Sequence, residues 1–328
     1  MRSLFAVVAS RLDSRDESGA YAVMFAVLTV VIMGMAALAI DIGDVRQTRV
    51  GLVTATDAAA LAAAQTFSTS ADGCGAVDDD YVARNDPDAA VTGCVHIPAT
   101  STSGRVSVAA STEVSHAFAS VFGFDSTNVA AESEAYYGQP SGLKGLRPFG
   151  LCGASSEFLT WIAAGRPVPS PIYTITYDKD QPSACGDTVP GNWGLIDFNG
   201  GANSNQETRD WVSNGYPGTV FAPAWYEGDP GSFSNSLPLP DLLNQQFHVP
   251  VFDAWNENPG GNAEFHIVGM LGVTLHGFKA NGRERNRYLE LSFNTGVVPG
   301  PCCGTGVDTG LRVVQLCRFE SNESDCTP

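Results

Sequence analysis

The sequence predicts an α+β protein: a single N-terminal membrane-spanning helix that continues as a long helix, a small α+β module, and a larger β-rich domain with disulfide bonds. Three observations predict this fold class. An uncharged run of 21 residues lies near the N-terminus, all eight cysteines follow it, and strand-like alternation dominates the last part of the chain. We expect a head at 1–18, the helix at 19–67, the module at 68–140 and the β-rich domain at 141–328.

The uncharged run extends from Ala20 to Ile40. A helix rises about 1.5 Å per residue, so the run can cross a hydrocarbon core of about 30 Å. A cleaved secretory signal is the alternative, but signal apolar regions usually measure about 7 to 15 residues, and the helical pattern here continues past the run. We therefore predict a retained anchor, whose membrane residues include Ala20, Met24, Phe25, Leu28, Ile32, Leu38 and Ile40.

The residues around the run predict a single-pass protein with a cytoplasmic N-terminus and an extracytoplasmic C-terminal part. Three arginines precede the run and two come after it, a small excess on the side expected to stay in the cytoplasm. The cysteines are stronger evidence for this orientation, because an even number of cysteines after the run is typical of disulfides in an oxidising compartment. Eight buried thiols in a cytosolic domain are the alternative.

Chain spacing suggests how the cysteines pair. A loop of the size closed by the first pair contributes about 3 kcal/mol in the chain-entropy model. Adjacent cysteines need a strained peptide geometry to bond each other. The pairs we expect are Cys74 with Cys94, Cys152 with Cys185, and Cys302 and Cys303 with Cys317 and Cys326.

The acidic balance excludes one class of partner. The net charge is −17, and residues 1–66 hold five basic and six acidic side chains, so 13 basic and 29 acidic side chains lie beyond them. Such an acidic exterior keeps an exported domain soluble and repels phosphates. We expect no binding to nucleic acid.

Beyond the span, the helical pattern continues to about Thr66 with one face of small and aliphatic side chains. The face includes Leu52, Ala55, Ala59 and Ala62. These residues recur at helical steps, and small side chains let another backbone approach closely. The face needs a partner, either the globular part of the same chain or another subunit. We expect Ala59→Leu to weaken assembly without preventing export.

The remaining elements are predicted from alternation and turn signals. In the module we expect strands at 94–97, 105–109 and 128–136, and a short amphipathic helix at 115–122. After turn formers at 138–142, we expect helices at 155–164 and 203–212, and strands at 171–177, 249–255, 265–280, 288–295 and 311–319. This last unit is long enough to bury its own core.

The N-terminal region resembles TadG-like proteins of the tight adherence (Flp pilus) machinery. Three segments carry the resemblance: GAYAVMFA at 19–26 where the apolar run begins, ALAIDIG at 37–43 where it ends, and the alanine run DAAALAAA at 57–64. Segments up to about residue 140 are also similar to the region that follows this helix in the family. It implies a bacterial envelope protein that helps assemble or anchor a thin adhesive pilus. Other Tad pilus-assembly proteins would be its partners, and no catalytic step or cofactor is implied.

Two departures from the family pattern narrow this expectation. Pseudopilins of the system are typically cut after a glycine and carry glutamate at position five of the mature chain. Gly19 is present here, but Met24 occupies the glutamate position, which favours a permanent anchor. The Asp-x-Ser-x-Ser run of a von Willebrand A metal site, present in some TadG proteins, does not occur, so that metal-dependent adhesion is not carried over.

The alternative is an exported enzyme or ligand-binding domain tethered by a pilin-like helix. His248, His266 and His276 with Asp253 would be its best metal or acid–base cluster. In one extended strand, however, the last two histidines lie about 33 Å apart, so ordinary polar histidines are favoured over a zinc site.

Two further kinds of side chain could serve such a domain. A nucleophilic thiol at Cys152 or Cys185 would need a nearby base, and disulfides account for both cysteines better. Exposed tryptophans could stack on glycans, although core packing is their usual role. The candidates are Trp161, Trp193, Trp211, Trp225 and Trp255. We predict no catalytic residue, no metal ligand and no cofactor-binding residue.

Overall fold

The fold was analysed in a computed structural model. The structure describes residues 18–67, 73–74, 76–176, 185, 194–200, 205–228, 236–257, 263–281, 286–317, 319–320 and 323–324. The predicted cytoplasmic head lies outside these residues except for Ser18. So does Cys326.

The helices of the described residues are α1 (Ser18–Phe67), α2 (Ala76–Asn85), α3 (Ser156–Ala163) and α4 (Asn205–Asn214), with 3₁₀ turns at Ala119–Phe122 and Leu239–Leu242. The predicted long helix is therefore confirmed as one continuous element of 50 residues. Within the described residues it is the one helix long and apolar enough to cross a membrane. Helix α2 was not predicted.

The strands are β1 (Ala90–Pro98), β2 (Gly104–Ser115), β3 (Ser126–Gly138), β4 (Gly142–Lys144), β5 (Leu151–Cys152), β6 (Ile172–Thr176), β7 (Ile196–Asp197), β8 (Thr219–Phe221), β9 (Ala224–Gly228), β10 (Gln246–Glu257), β11 (Ala263–Lys279), β12 (Tyr288–Asn294), β13 (Gly296–Val297), β14 (Leu311–Leu316), β15 (Phe319–Glu320) and β16 (Glu323–Ser324). With these strands and helices the predicted α+β class is confirmed.

The module is a sheet that packs on the second half of α1. Its strand order is β1-β2-β3-β14-β13, and β2 and β3 form a long antiparallel hairpin from Gly104↔Tyr137 to Ser115↔Ser126. Along β2, alternate side chains are buried, as expected for a sheet with one face covered. Val106, Val108 and Ala110 belong to the apolar core shared with α1.

The segment 115–122 is not the predicted amphipathic helix. Ser115 is the last residue of β2, and the segment up to Asp125 turns the chain into β3, with one 3₁₀ turn at Ala119–Phe122. The apolar spacing suggested a helix face, but Phe122 is exposed rather than buried in a core. Pairing of β2 with β3 decides the conformation, because the register leaves these residues as the connection of a hairpin.

The C-terminal part of the chain returns to the module. Strand β14 pairs antiparallel with β3, from Val313↔Gly138 to Leu316↔Ala135. The division at residue 140 stays a prediction, and residues from both sides of it share this sheet. Strand β14 therefore holds the large domain against the module.

The large domain is built on a second sheet of seven strands. Its main path is β5-β10-β11-β12-β6, with β9 paired to β11 and β7 paired to β9. Helix α3 lies within the predicted helix at 155–164, and Ser155 is its N-cap, where Ser155 Oγ accepts a hydrogen bond from the Phe158 backbone N–H. Phe158 and Trp161 of this helix pack against Phe293 of β12 in the main core.

Disulfides join Cys74 to Cys94 and Cys152 to Cys185, as predicted. The predicted pairing of Cys302 and Cys303 with later cysteines is wrong, because these two adjacent residues bond each other. The peptide bond between them is cis, and their Cα atoms lie 3.1 Å apart. Cys317 is also in a disulfide. Cys326, the other cysteine predicted to pair with Cys302 or Cys303, lies outside the described residues.

Candidate functional site at the anchor helix

The second half of α1 lies on the module's sheet through small side chains. Ala59 and Ala63 are fully buried, and the Thr56 hydroxyl lies 2.7 Å from the Ser133 hydroxyl inside the interface. Alanine at these positions lets the backbones of helix and sheet approach closely, while the hydroxyl pair satisfies two buried polar groups. The interface is therefore a closely packed intramolecular contact.

The predicted small-residue face coincides with this contact. Leu52, Ala55 and Ala59 are completely buried and Ala62 is half-buried. Of the two partners considered, the structure supplies the globular part of the same chain. A leucine at position 59 would have to displace the sheet, so the expected effect of Ala59→Leu moves from assembly to the stability of the module itself.

The first half of α1 has no comparable cover among the described residues. The predicted anchor residues with described side chains, Met24, Phe25, Leu28, Ile32, Leu38 and Ile40, are all exposed. Ala20 lies in the first turns of the helix. A stretch of this length that is apolar on every side is unfavourable in water and suited to a lipid environment.

Asp41 marks the junction between the two halves. It is the first charged residue after the apolar run and only 3% exposed. Its carboxylate accepts hydrogen bonds from the backbone N–H groups of Ala117 (3.0 Å), Phe118 (3.1 Å) and Ala119 (2.6 Å). These donors belong to the β2–β3 connection and would otherwise lack partners in the turn. Asp41 thereby fixes the tip of the hairpin at the end of the apolar run.

An acidic groove lies just beyond the junction. Asp44 of α1 lines it together with Asp86, Asp88 and Glu113 of the module. Within the described residues, no group of three or more histidine, cysteine or carboxylate side chains is arranged to hold a metal ion. The groove adds negative charge about one helical turn after Asp41.

The histidines of the large domain are separated. His266 Nδ1 lies 2.7 Å from Asp253 Oδ1, and its ring centre is 5.0 Å from that of Trp225. His248 lies apart at the other end of β10, where burial lowers its pKa. His276 contacts Ser292 instead. The structure thus assembles two members of the predicted cluster, not four.

The tryptophans divide by exposure. Trp161 and Trp211 are buried, Trp255 is half-buried, and Trp225 is 45% exposed. Trp193 lies outside the described residues. One exposed tryptophan beside a histidine–carboxylate pair is the described feature that best fits a ligand contact in this domain.

Sequence reasoning missed the contacts of Asp41 because its partners lie 76 to 78 residues away. The position itself was recognisable, since a carboxylate directly after a 21-residue apolar run has to be satisfied or hydrated. A cluster of Asp308 with Arg166 and Arg312 was also missed. Asp308 and Arg312 are four residues apart, but Arg166 lies 142 residues before Asp308, so no local pattern connects the three.

Comparisons with curated proteins and with solved structures found no match. A family model described as putative Flp pilus-assembly TadE/G-like matches residues 19–66. The matched range covers the exposed apolar half of α1, the Asp41 junction and nearly all of the sheet-packed half. Over residues 19–66 the chain is therefore similar to the TadE/G-like family, in keeping with the TadG-like resemblance of its N-terminal region.

Proposed function

We propose that the protein is a membrane-anchored structural component of a Flp/Tad-type pilus-assembly machinery or of a related surface complex, without a catalytic step. One observation carries the proposal: the family match at 19–66 coincides with a single helix. The apolar side chains in the first half of this helix are exposed, and its second half packs on the sheet of the module. In this arrangement the chain anchors itself and presents its domains to other Tad proteins.

The proposed topology places the N-terminus in the cytoplasm and the folded domains outside the cell membrane. It is supported by the position of the disulfides, since the three bonded pairs with described geometry all lie after the apolar run. Disulfides persist in oxidising compartments and are rare in the cytosol. A retained span is supported by Met24, which stands where a processed pseudopilin would carry glutamate.

The contact with other assembly proteins is proposed to use the outer face of α1. Because the small-residue face is covered by the sheet, a different stripe is left for partners. It comprises Ile42, Arg46, Arg49, Val50 and Val53, which recur at helical spacing and are exposed. Two arginines among aliphatic side chains suit a contact with another apolar helix that carries carboxylates.

We expect Val50→Asp to reduce co-purification with other Tad proteins, since it places a charge in the proposed helix–helix contact without touching the core. Val50 is 68% exposed. The measurement is quantitative pull-down of the tagged full chain from detergent-solubilised membranes. Val95→Asp is the matched control, because Val95 is also an exposed valine but lies on β1. Equal recovery of partners with both variants would contradict the proposed contact.

The second candidate function is an exported ligand- or glycan-binding domain on the same anchor. It is favoured by one observation, the exposed Trp225 beside the His266–Asp253 pair. Aromatic faces of this kind stack on sugar rings. This function predicts that added polysaccharides change tryptophan fluorescence and that Trp225→Ala abolishes the change. No response across a broad polysaccharide panel would eliminate it.

A further inference from the structure

The tip of the β2–β3 hairpin is unusually apolar for an exposed turn. Residues 117–124, with the sequence AFASVFGF, contain no charged side chain. Val121 is 82% exposed, Phe122 78% and Phe124 68%. Several large apolar side chains together on one exposed turn are a marker of contact with another apolar phase.

The tip lies at the level where the apolar run ends. Asp41 binds its backbone at Ala117, Phe118 and Ala119, which fixes the tip beside the first charged residue of α1. The turn Ala119–Phe122 at the tip also contacts α1. The hairpin tip therefore lies against α1 where the membrane-crossing run ends.

The length of the apolar run gives the depth of the hairpin tip relative to the membrane. A run of 21 residues at about 1.5 Å per residue nearly equals a hydrocarbon core of about 30 Å, so Asp41 falls near its outer boundary. The surface of the module also becomes more polar with distance from the apolar run. The apolar tip lies beside the anchor's lipid-exposed half, whereas Asp44 and Glu113 lie one step further out in the acidic groove.

We propose that residues 117–124 insert into the outer boundary of the bilayer that α1 crosses, as a second membrane contact beside the anchor. The occupant is lipid rather than another protein, because the patch is continuous with the anchor's lipid-facing surface and is fixed to it by Asp41. Phenylalanine is among the side chains that interfacial segments bury at the boundary between headgroups and acyl chains. Two contact points would fix the tilt of the exported domains relative to the membrane. The inference rests on the proposed anchor.

The test uses tryptophan as a depth probe in the full chain, reconstituted in vesicles of brominated phosphatidylcholine. Three variants are compared with the wild-type chain, whose five tryptophans all lie between residues 161 and 255. Leu28→Trp reports the span and Phe122→Trp the hairpin tip. Ile97→Trp is the control, because Ile97 is exposed on the same sheet at the end opposite the tip.

We expect the added emission of the Leu28→Trp and Phe122→Trp variants to be strongly quenched, with bromine near the headgroups most effective on the second, and that of Ile97→Trp to be unchanged. Quenching of Leu28→Trp alone overturns the hairpin insertion but leaves the anchor in place. Absence of quenching in both overturns the anchor itself. Quenching of all three overturns insertion by the tip, because the whole module would then lie on the membrane. Phe124→Trp repeats the test at a second tip position.

Discussion

Replacing Leu52 with alanine is expected to lower the free energy of unfolding of the module by about 2–5 kcal/mol, the usual range for deleting a buried leucine side chain. Leu52 is completely buried between α1 and the sheet. The loss is measured as faster hydrogen exchange of β2 and β3 amides in the full chain held in detergent micelles. Val50→Ala is the control, because Val50 is exposed on the same helix and its truncation should leave exchange unchanged.

The result bears directly on the role of the alanine-rich face. If Leu52→Ala behaves like Val50→Ala, the second half of α1 does not pack on its own sheet, and the face is free for another subunit. If the expected difference is found, assembly contacts have to use the outer stripe. The two variants therefore show whether the alanine-rich face packs on the globular part of the same chain or on another subunit.

Replacing Asp308 with alanine is expected to destabilise the large domain by about 3 kcal/mol, because it leaves a buried charge without its main partner. Arg312 is almost completely buried, and its Nη1 lies 2.6 Å from Asp308 Oδ1. Arg166 Nη2 lies 3.0 Å from Asp308 Oδ2. The measurement is urea denaturation followed by tryptophan fluorescence. Asp253→Ala is the control, because its pair with His266 is more exposed and worth about 1 kcal/mol or less.

The same site predicts a pH dependence with a defined sign. Burial alone would raise the pKa of Asp308, but the hydrogen bond and charge of Arg312 outweigh it, and the pKa is lowered. A carboxyl whose pKa is lower in the folded state stabilises the protein above its unfolded pKa of about 3.9 and loses that contribution as pH falls through the folded value. The stability gap between wild type and Asp308→Ala should therefore be constant near neutrality and shrink below about pH 4. A gap that widened in acid would contradict the ion pair.

Much of the fold was predictable from local sequence pattern. The helical pattern predicted a helix at 19–67, close to the observed Ser18–Phe67, and alternation predicted the cores of β10, β11 and β12 to within a few residues. The prediction of a helix at 115–122 was wrong for a physical reason. Its apolar spacing fits a helix face, but helix formation there would compete with the twelve-residue pairing of β2 and β3, and the pairing determines the conformation.

The candidate site was predictable only in part. The apolar run and the small-residue face could be predicted from composition and helical spacing, because composition and spacing are local properties of the chain. The bond between Cys302 and Cys303 could not be predicted in this way, since the two sulfurs lie beside Gly138, more than 160 residues earlier, where a Cβ atom would meet both of them. The contacts of Asp41 depend on a hairpin that lies more than 70 residues further along the chain.

The sequence by itself determined that the chain has an apolar run long enough to cross a membrane, an acidic cysteine-bearing remainder and a TadE/G-like segment at 19–66. These properties depend on neighbours along the chain, which composition and periodicity record. Tertiary structure alone decided what covers the alanine face, that β14 joins the module's sheet, and that Asp41 holds an apolar hairpin tip at the end of the apolar run. Each of these joins residues far apart in sequence, and such contacts are set by packing and pairing in three dimensions.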